Sequence, residues 1–400
     1  MDTLLNIKKE FPIFQNNPDL IYLDSAATTH KPKRVIDRMG QFYSEEYGTV
    51  HRAVYNLSMN ATDLYHSSRE KVREFINAKS AEEIVFTRGT TDSINLIKNA
   101  FRSKIQRGDE IIISEGEHHS NIVPWQMLAE ETGCILKFIP LNDQAELRMD
   151  IYEELLSDRT KLVSIAHVFN STGTINPIKE VIRLAHLKGA FVLIDGAQAI
   201  SHLKVDVQDL DADFYAFSGH KMYGPTGIGV LYGKKAILQK LPPVTGGGDM
   251  VEKVTLEKST FKEPPHRFEA GTPMIAEVIG LREAILFIEA IGSIWITKEE
   301  EKLASYLINE MSLIEGLKIY GKRSQKTGII CFNVDGVHPL DLGTMLDLKG
   351  VAIRTGSHCA MPMHSRLGCT GSARASLGAY NTEDDMARFI TSLKEVIKSF

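Results

Sequence analysis

Cysteine is scarce in this sequence, which has four cysteines in 400 residues. So few thiols do not form the disulfide framework of a small secreted domain, and we expect a cytoplasmic protein. No apolar run reaches the roughly 18 residues that a membrane-spanning helix needs, so we expect no membrane partner. The formal net charge is −5 and no basic stripe is present, so we expect no nucleic-acid partner either.

The common metal-binding spacings are also absent. The sequence contains neither Cys-x-x-Cys nor His-Glu-x-x-His, so we expect no metal site. The composition is that of an ordinary globular protein, with 43% hydrophobic and 24% charged residues. A chain of this length is expected to form one large domain with a smaller companion.

Short apolar runs alternate with amphipathic stretches in the first two thirds of the chain. The pattern predicts strands at 83–87, 110–114, 135–139, 162–168, 191–195, 214–218 and 228–232, and helices at 91–101 and 177–189. Apolar strands separated by helices indicate an α/β fold, with a mostly parallel sheet covered on both faces. Beyond about residue 275, long helices, a strand at 328–334, a short strand near 351–354 and a C-terminal helix predict a smaller α+β domain.

In open α/β sheets, ligands bind beyond the carboxyl ends of the strands. Polar residues follow most of the predicted strands at that place. They are Thr90 and Thr91, Glu117-His118-His119, Asn170, Asp195 and Gln198, and Ser218-Gly219-His220-Lys221. Small hydroxylated residues at a helix start favour a phosphate, and Asp195 could pair with the ring N–H of a pyridinium. A buried Lys221 would have a lowered pKa, and its amine could then form a Schiff base.

Each residue also has a simpler interpretation. Lys221 could lie in a surface turn, and Thr90 and Thr91 could be an N-cap pair. Asp195 could cap a turn, and paired histidines are as often a hydrogen-bonded corner as a catalytic or metal site. The joint pattern, with every residue at the same edge of the sheet, favours the catalytic interpretation.

Five motifs carry a resemblance to a known family. They are "DGAQA" (195–199), "SGHKMYGPTGIG" (218–229), "EHHSNIVPWQ" (117–126), "RFEAGTP" (267–273) and "RTGSHCAMP" (354–362). The first two resemble those of the pyridoxal-phosphate enzymes of the class V aminotransferase fold. The other three resemble those of Suf-type (group II) cysteine desulfurases, often called cysteine desulfurase/selenocysteine lyase. The likeness extends from residue 22 to residue 382.

The resemblance implies the aspartate-aminotransferase-like fold of pyridoxal-phosphate-dependent transferases. In that fold we expect residues 1–20 to form an N-terminal segment that packs with the small domain. Residues 21–275 would form the large cofactor-binding domain around a seven-stranded, mostly parallel sheet. Residues 276–400 would form the small domain, which carries the loop of a nucleophilic cysteine.

The resemblance also assigns roles to individual residues. Lys221 would form the Schiff base, Asp195 would pair with the pyridinium nitrogen, and Gln198 with the phenolic oxygen. His118 would lie over the ring and donate a proton to the departing product. The cofactor phosphate would be bound by Thr90, Thr91, Ser218 and His220, with Thr272 reaching the phosphate of a partner subunit in a homodimer. The substrate would be held by Asn170, Arg354 and Arg374.

Cys359 would be the nucleophile that takes sulfur from the substrate. It lies beside His358 and near Arg354, an electropositive setting that stabilises a thiolate. Cys134 and Cys331 lie in apolar runs and are interpreted as small core residues. Cys369 is either an incidental loop thiol or a redox partner of Cys359.

The activity implied by the resemblance is conversion of L-cysteine to L-alanine, with a persulfide left on Cys359. That sulfur would supply iron–sulfur cluster assembly through Suf proteins. Relatives that use a zinc-containing acceptor tend to read His-Pro-His-Asp, whereas this chain has Leu340 at the third position, which argues for a SufE-like acceptor. L-selenocysteine is a second possible substrate. Two alternatives are an aminotransferase in which Cys359 is idle and a metal-binding or sulfur-carrier scaffold without turnover.

One departure from the family pattern lies beside the nucleophile. Close relatives often read Gly-His-His-Cys, and this chain has Ser357 in place of the first histidine. One imidazole near Cys359 is therefore missing.

Overall fold

The apolar runs at the centre of the chain form one seven-stranded sheet in a computed structural model, which describes residues 7–51, 53–321 and 326–400. Residues 1–6 of the predicted N-terminal segment lie outside these ranges. Across the sheet the strands follow the order Ile84–Thr87, Gly229–Gly233, Phe214–Ser218, Phe191–Asp195, Thr160–Ala166, Glu110–Ser114 and Ile135–Ile139. The second strand runs antiparallel to both of its neighbours, and the other four pairings are parallel. The predicted α/β class and mostly parallel sheet are confirmed.

Four of the seven predicted strands of the large sheet have the predicted bounds, and the other three differ by one or two residues. The strand predicted at 162–168 spans Thr160–Ala166. The His167 N–H still donates to the carbonyl oxygen of Asp195 at 2.8 Å, and beyond it Val168 pairs with Ile175 instead of with the neighbouring strand. The predicted helix at 91–101 begins one residue earlier, at Thr90.

Helices cover both faces of the sheet because side chains alternate along each strand. Ile112, Val163 and Ile194 point into one core, and Ile111, Leu162 and Leu193 into the other. The helices of this part are Lys33–Gln41, Asn56–Phe75, Thr90–Phe101, Val123–Thr132, Met149–Leu155, Ile178–Leu187, Ala199–His202, Val207–Leu210 and Lys235–Leu238. In the described ranges, no helix is both long enough and apolar enough to cross a membrane.

A second, four-stranded sheet forms the C-terminal part. Its antiparallel strands follow the order Leu317–Tyr320, Ile329–Val334, Ser372–Ser376 and Arg354–Gly356. Its helices are Ser293–Ser312, Pro339–Asp347, Met361–Arg366 and Glu383–Ile397. The core between them is separate from the cores of the large sheet. This arrangement is the predicted α+β architecture.

Two elements near the predicted domain boundaries contact both parts. Strand Ile21–Tyr22 pairs in parallel with Val351–Ala352, and helix Ile275–Ile291 contributes buried side chains to a large-sheet core. The boundaries at 20/21 and 275/276 therefore stay predictions. The aromatic ring of Phe11 contacts those of Tyr380 and Phe287, so the N-terminal segment packs at the junction of the two parts.

A buried ion pair fixes the "RFEAGTP" segment to the edge of the large sheet. The side chains of Arg69 and Glu269 are 4% and 9% exposed, and two N–H groups of Arg69 donate to the two Glu269 carboxylate oxygens at 2.7 Å. Arg69 also donates to the carbonyl oxygen of Ile84, and Glu269 accepts the Phe86 N–H at 2.7 Å. Strand Ile84–Thr87 has no neighbouring strand on its outer side, and the ion pair supplies hydrogen-bond partners to its backbone there.

We expect Glu269→Ala to destabilise the protein by about 3–5 kcal/mol, because it leaves the Arg69 guanidinium buried without its counter-ion. A urea titration followed by circular dichroism measures the change. The matched control is Glu180→Ala, which removes an ion pair with Arg183 that is exposed on both sides and should leave the midpoint almost unchanged. Equal midpoints for the two variants would contradict the expected role of Arg69–Glu269.

Candidate active site

A cavity lies at the carboxyl ends of the parallel strands, where the small domain meets the large sheet. Every site residue predicted from the sequence lines it except Thr272: Thr90, Thr91, His118, Asn170, Asp195, Gln198, Ser218, His220, Lys221, Arg354, Cys359 and Arg374. They come from segments up to 284 positions apart (90 to 374). The structure therefore brings the predicted residues into one site.

Lys221 and Asp195 occupy the floor of this cavity. Lys221 ends the 3-10 turn Gly219–Lys221, which directly follows strand Phe214–Ser218. Burial lowers the pKa of Lys221 to about 8, an effect that Asp195 opposes and Arg374 reinforces. Burial raises the pKa of Asp195, while its hydrogen bond from the Ala197 N–H acts in the opposite direction. A lysine with this pKa is in part a neutral, nucleophilic amine near neutral pH.

Hydroxyl groups gather at one end of the cavity. The Ser218 hydroxyl lies 2.8 Å from the Thr90 hydroxyl and also accepts the Thr90 N–H at 2.8 Å, while Thr91 and Ser120 hydroxyls are 2.7 Å apart. Thr90 begins the helix Thr90–Phe101, so unpaired N–H groups and the helix dipole add to these donors. The close approach that forms this corner requires glycine at Gly229, since a Cβ there would lie 2.4 Å from the Cα of Gly89. This end suits a phosphate.

His118 is a neutral imidazole on the cavity wall. Its Nδ1 accepts the Ser120 N–H at 3.1 Å, which places the proton of the neutral ring on Nε2. Burial lowers the pKa of His118 to about 3, and Lys221 adds to the effect. The ring is therefore able to stack on a flat ligand, and it must accept a proton before it acts as a proton donor.

Arg374 lies buried on strand Ser372–Ser376 and connects both domains. Its guanidinium donates to Asp24 Oδ1 at 2.9 Å and to the carbonyl oxygen of Asn170 at 3.0 Å. Among the described residues, Arg374 Nε and Asn170 Oδ1 are buried with no hydrogen-bond partner. An unpaired donor and an unpaired acceptor thus remain on one side of the cavity, which suits a small polar ligand with a carboxylate and an amine or hydroxyl.

Cys359 lies on a loop whose backbone is strained. His358 and Cys359 have φ of +51° and +57°, values that side chains with a Cβ rarely adopt. The loop is held to the large domain by two hydrogen bonds of 2.7 Å, from Asn170 Nδ2 to the His358 carbonyl and from the His119 N–H to the Cys359 carbonyl. The Arg354 guanidinium lies 3.8 Å from Cys359 Sγ, so a cation faces the thiol.

The other cysteines lie away from this cavity. Cys134 and Cys331 are buried, as predicted for core residues, and Cys369 is partly exposed. Cys369 follows helix Met361–Arg366, and its N–H donates to the carbonyl oxygen of His364. The Cys369 thiol does not line the cavity that holds Cys359.

Thr272 is exposed in a second, smaller pocket. That pocket is lined by Thr49, Val50, Gly248, Asp249, Gly271, Thr272 and Pro273. Thr272 therefore contributes nothing to the cavity of its own chain. The sequence-based expectation that it reaches a partner's phosphate stays a prediction.

The sequence analysis did not predict several contacts that shape the site, and it did not single out Asp24 or Ser120. Asp24 holds Arg374, Ser120 holds both Thr91 and His118, and His119 holds the Cys359 loop. Asp24 lies in "YLDSAATT", where the resemblance begins, so that motif was an available signal. Ser120 and His119 lie within "EHHSNIVPWQ", and their roles depend on contacts with distant segments that no spacing shows.

The residues present fit pyridoxal phosphate by their chemistry. The site offers a lysine with a lowered pKa, a buried carboxylate, a flat neutral imidazole, and a hydroxyl-rich corner at a helix start. Lys221 would hold the aldehyde carbon, Asp195 the ring nitrogen and Gln198 the phenolic oxygen. Thr90, Thr91, Ser218 and His220 would hold the phosphate.

Comparison with known proteins agrees with this geometry. Residues 21–389 match the family model described as aminotransferase class-V. The chain is 48% identical to a probable cysteine desulfurase of Halalkalibacterium halodurans, with 98% of each chain covered. It is 49% identical to a cysteine desulfurase of Dickeya dadantii, over 98% of this chain and 96% of the relative.

Solved structures give the same result. The cysteine desulfurase CsdA of Escherichia coli superposes with a TM-score of 0.94 at 39% identity, covering 100% of this chain and 99% of that one. The cysteine desulfurase of Thermococcus onnurineus superposes with a TM-score of 0.95 at 39% identity, covering 99% and 98%. The chain belongs to the class V aminotransferase family of pyridoxal-phosphate-dependent enzymes and, within it, to the cysteine desulfurases.

Proposed function

We propose that this protein is a cysteine desulfurase, which converts L-cysteine to L-alanine and takes the sulfur onto Cys359 as a persulfide. The observation that carries the proposal is the placement of Cys359 in the same cavity as Lys221, with the Arg354 guanidinium 3.8 Å from its sulfur. An aminotransferase needs the lysine and has no use for a cysteine held on a strained loop at that point. The relatives named above as cysteine desulfurases support the same activity.

Arg374 and Asn170 bind the substrate in this proposal. The guanidinium of Arg374, held by Asp24, offers N–H donors to the substrate carboxylate. The unpaired Oδ1 of Asn170 accepts from the substrate amine or orients it. These contacts fix which bond at the α-carbon faces Lys221 and on which side the substrate sulfur lies.

Proton transfer falls to Lys221 and His118. When bound, pyridoxal phosphate withdraws electrons from the substrate α-carbon. Asp195 would hold the ring nitrogen in its protonated form, and the lowered pKa of Lys221 makes its amine a base for the α-proton of the substrate. His118 is neutral, so it accepts a proton first and returns it to the product.

Cys359 performs the sulfur transfer. Its thiolate attacks the substrate sulfur, the S–S bond forms, and the substrate C–S bond breaks with its electron pair going to carbon. Protonation of that carbon gives alanine, and Cys359 keeps the sulfur as a persulfide. One L-cysteine and one Cys359 thiol thus give one L-alanine and one persulfide.

The sulfur acceptor in this proposal is a SufE-like protein that feeds iron–sulfur cluster assembly. Leu340 supports this, because it is 60% exposed at the start of helix Pro339–Asp347, where a histidine would offer a metal ligand. L-selenocysteine would bind through the same Arg374 and Asn170 contacts, and selenium leaves carbon more readily than sulfur. Selenocysteine lyase activity is therefore part of the proposal.

The proposed enzyme is a homodimer. The hydroxyl of Thr272 is exposed beside Thr49 in a pocket that its own chain leaves incomplete. The neighbouring segment exposes apolar side chains that a subunit contact would cover: Tyr43, Tyr47, Val54, Tyr55, Leu57 and Met59. A partner seated there would bring Thr272 towards the phosphate of the other chain.

Lys221→Ala is expected to remove the visible absorbance of the bound cofactor and to lower alanine formation by at least about 10²–10⁴-fold, because the amine that would hold the cofactor and act as the base is lost. Alanine released from L-cysteine measures the second effect. A variant that forms alanine at the parent rate would show that another base acts.

The pH dependence of Lys221 tests the same assignment independently. Its lowered pKa of about 8 means that the reactive neutral amine increases with pH up to that value and then levels off. Amine labelling of the apoprotein, read by peptide mass spectrometry, should show this midpoint at Lys221, while exposed lysines continue to gain reactivity to higher pH. A midpoint for Lys221 near that of exposed lysines would contradict its desolvation.

Cys359→Ser is expected to keep the cofactor absorbance and its change on adding L-cysteine, because Lys221, Asp195 and Arg374 are untouched. Alanine and protein-bound persulfide should fail to accumulate, since nothing attacks the substrate sulfur. Cys369→Ser is the matched control and should retain the parent rate, because its thiol lies outside the cavity. The proposal fails if Cys359→Ser forms alanine at the parent rate, or if mass spectrometry finds the added sulfur on Cys369.

Light scattering at micromolar concentration is expected to give twice the chain mass. Val54→Asp, which places a charge on a side chain that is 93% exposed in the single chain, should shift the protein towards the monomer. Leu187→Asp changes an apolar side chain that is 70% exposed elsewhere and should leave the dimer intact. A parent protein of one chain mass with cofactor bound would overturn the dimer.

A further inference from the structure

Three metal-binding side chains meet directly behind the nucleophile loop. The sulfur of Cys331 and one ring nitrogen of each of His358 and His364 lie within 4.8 Å of one another, and all three residues are buried. Each also contacts the Ser372 hydroxyl oxygen at 2.9 Å. The hydroxyl therefore lies near the centre of the triangle formed by one sulfur and two nitrogens.

The hydrogen bonds of His364 give it the tautomer that a metal ligand needs. His364 Nδ1 lies 3.0 Å from the carbonyl oxygen of Ala360, so Nδ1 carries the proton and the Nε2 lone pair faces the cluster. A backbone carbonyl that fixes the tautomer in this way is the usual second partner of a metal-bound histidine.

One ring nitrogen of His358, other than the Nε2 that contacts Ser372, has no hydrogen-bond partner among the described residues. This nitrogen is Nδ1, and it is buried because the whole residue is only 2% exposed. A buried imidazole normally satisfies both nitrogens. His358 is thus held in the cluster through Nε2 alone, and it shares the single hydroxyl of Ser372 with Cys331 and His364.

The surrounding charge selects the kind of ion. Arg374 acts electrostatically on all three side chains, Arg354 acts on His358, and Lys326 acts on Cys331. A divalent ion with one thiolate would add a net positive charge to this setting, at a cost in Coulomb energy. A monovalent ion with one thiolate adds none.

We propose that Cys331, His358 and His364 form a binding site for a soft monovalent metal ion, Cu(I). One thiolate and two imidazoles are ligands of the softness that Cu(I) prefers. Metal–ligand bonds to sulfur and nitrogen are about 2.0–2.3 Å, so each ligand has to move inward by roughly 0.6–0.9 Å as the Ser372 hydroxyl turns aside. Binding displaces the Cys331 thiol proton to solvent and changes no oxidation state.

The site lies next to the proposed chemistry and is distinct from it. His358 precedes Cys359, and the His364 carbonyl accepts the Cys369 N–H, so the ion would attach the nucleophile loop to strand Ile329–Val334. The three ligands are separated by 27 and 6 positions in the sequence (331, 358 and 364). The sheet brings Cys331 to them, because its strand pairs with the strand that carries Ser372, with Cys331 opposite Arg374. The proposal does not require Cys359 to be a nucleophile.

Competition with a colorimetric Cu(I) chelator tests the site, using the reduced, cofactor-loaded full chain without oxygen. We expect the parent protein to keep one equivalent of Cu(I) per chain from reacting with the chelator. Cys331→Ser and, separately, His364→Gln should weaken binding by about 100-fold or more, since outer-shell changes alone cost about 10–100-fold. Retained cofactor absorbance shows that each variant is folded, and the two variants change opposite sides of the cluster.

Controls separate this site from the other thiols. Cys369→Ser, Cys134→Ser and Cys359→Ser should each withhold the same equivalent as the parent, and X-ray absorption at the copper edge should show one sulfur and two nitrogens. Excess Zn²⁺ should not displace the Cu(I). The proposal is overturned if the parent withholds no Cu(I), if Cys331→Ser binds as the parent does, if Cys359→Ser loses the equivalent, or if Zn²⁺ displaces it.

Discussion

The buried guanidinium of Arg374 is the contact on which the site depends. It lies on the small-domain sheet, 1% exposed, and its partners are the Asp24 carboxylate and the carbonyl oxygen of Asn170. A charge buried to this degree is stable only with its partners in place. The pairing therefore sets the position of the small domain relative to the large sheet, and with it the position of the Cys359 loop.

Burial also sets the reactivity of the groups that face this cavity. It lowers the pKa of Lys221 to about 8 and that of His118 to about 3, and it raises the pKa of Asp195. The shifts all favour the less charged form of each group because the surrounding protein has a low dielectric constant. The result is a partly neutral amine and a neutral imidazole in one pocket, which is the state that cofactor binding and proton transfer require.

The loop that carries His358 and Cys359 has a strained backbone and is hydrogen-bonded to the large domain. Positive φ at His358 and Cys359 costs energy, and hydrogen bonds from His119 and Asn170 and the contact of His358 with Ser372 hold the loop in that conformation. Behind the loop, His364 Nε2 lies 2.9 Å from the same Ser372 hydroxyl. The Cu(I) proposal rests on the meeting of Cys331, His358 and His364 at that place.

The sequence by itself determined the strands, the parallel sheet and the residues at strand ends, because apolar periodicity and turn chemistry are local properties of the chain. It also marked Lys221, Asp195 and Cys359 through motifs. Tertiary structure decided which groups meet: Asp24 with Arg374, His119 with the Cys359 loop, and Cys331 with two histidines. It also placed Thr272 outside the cavity of its own chain. These facts escape the sequence because desolvation, pairing and orientation depend on segments hundreds of residues apart, whose approach no local pattern records.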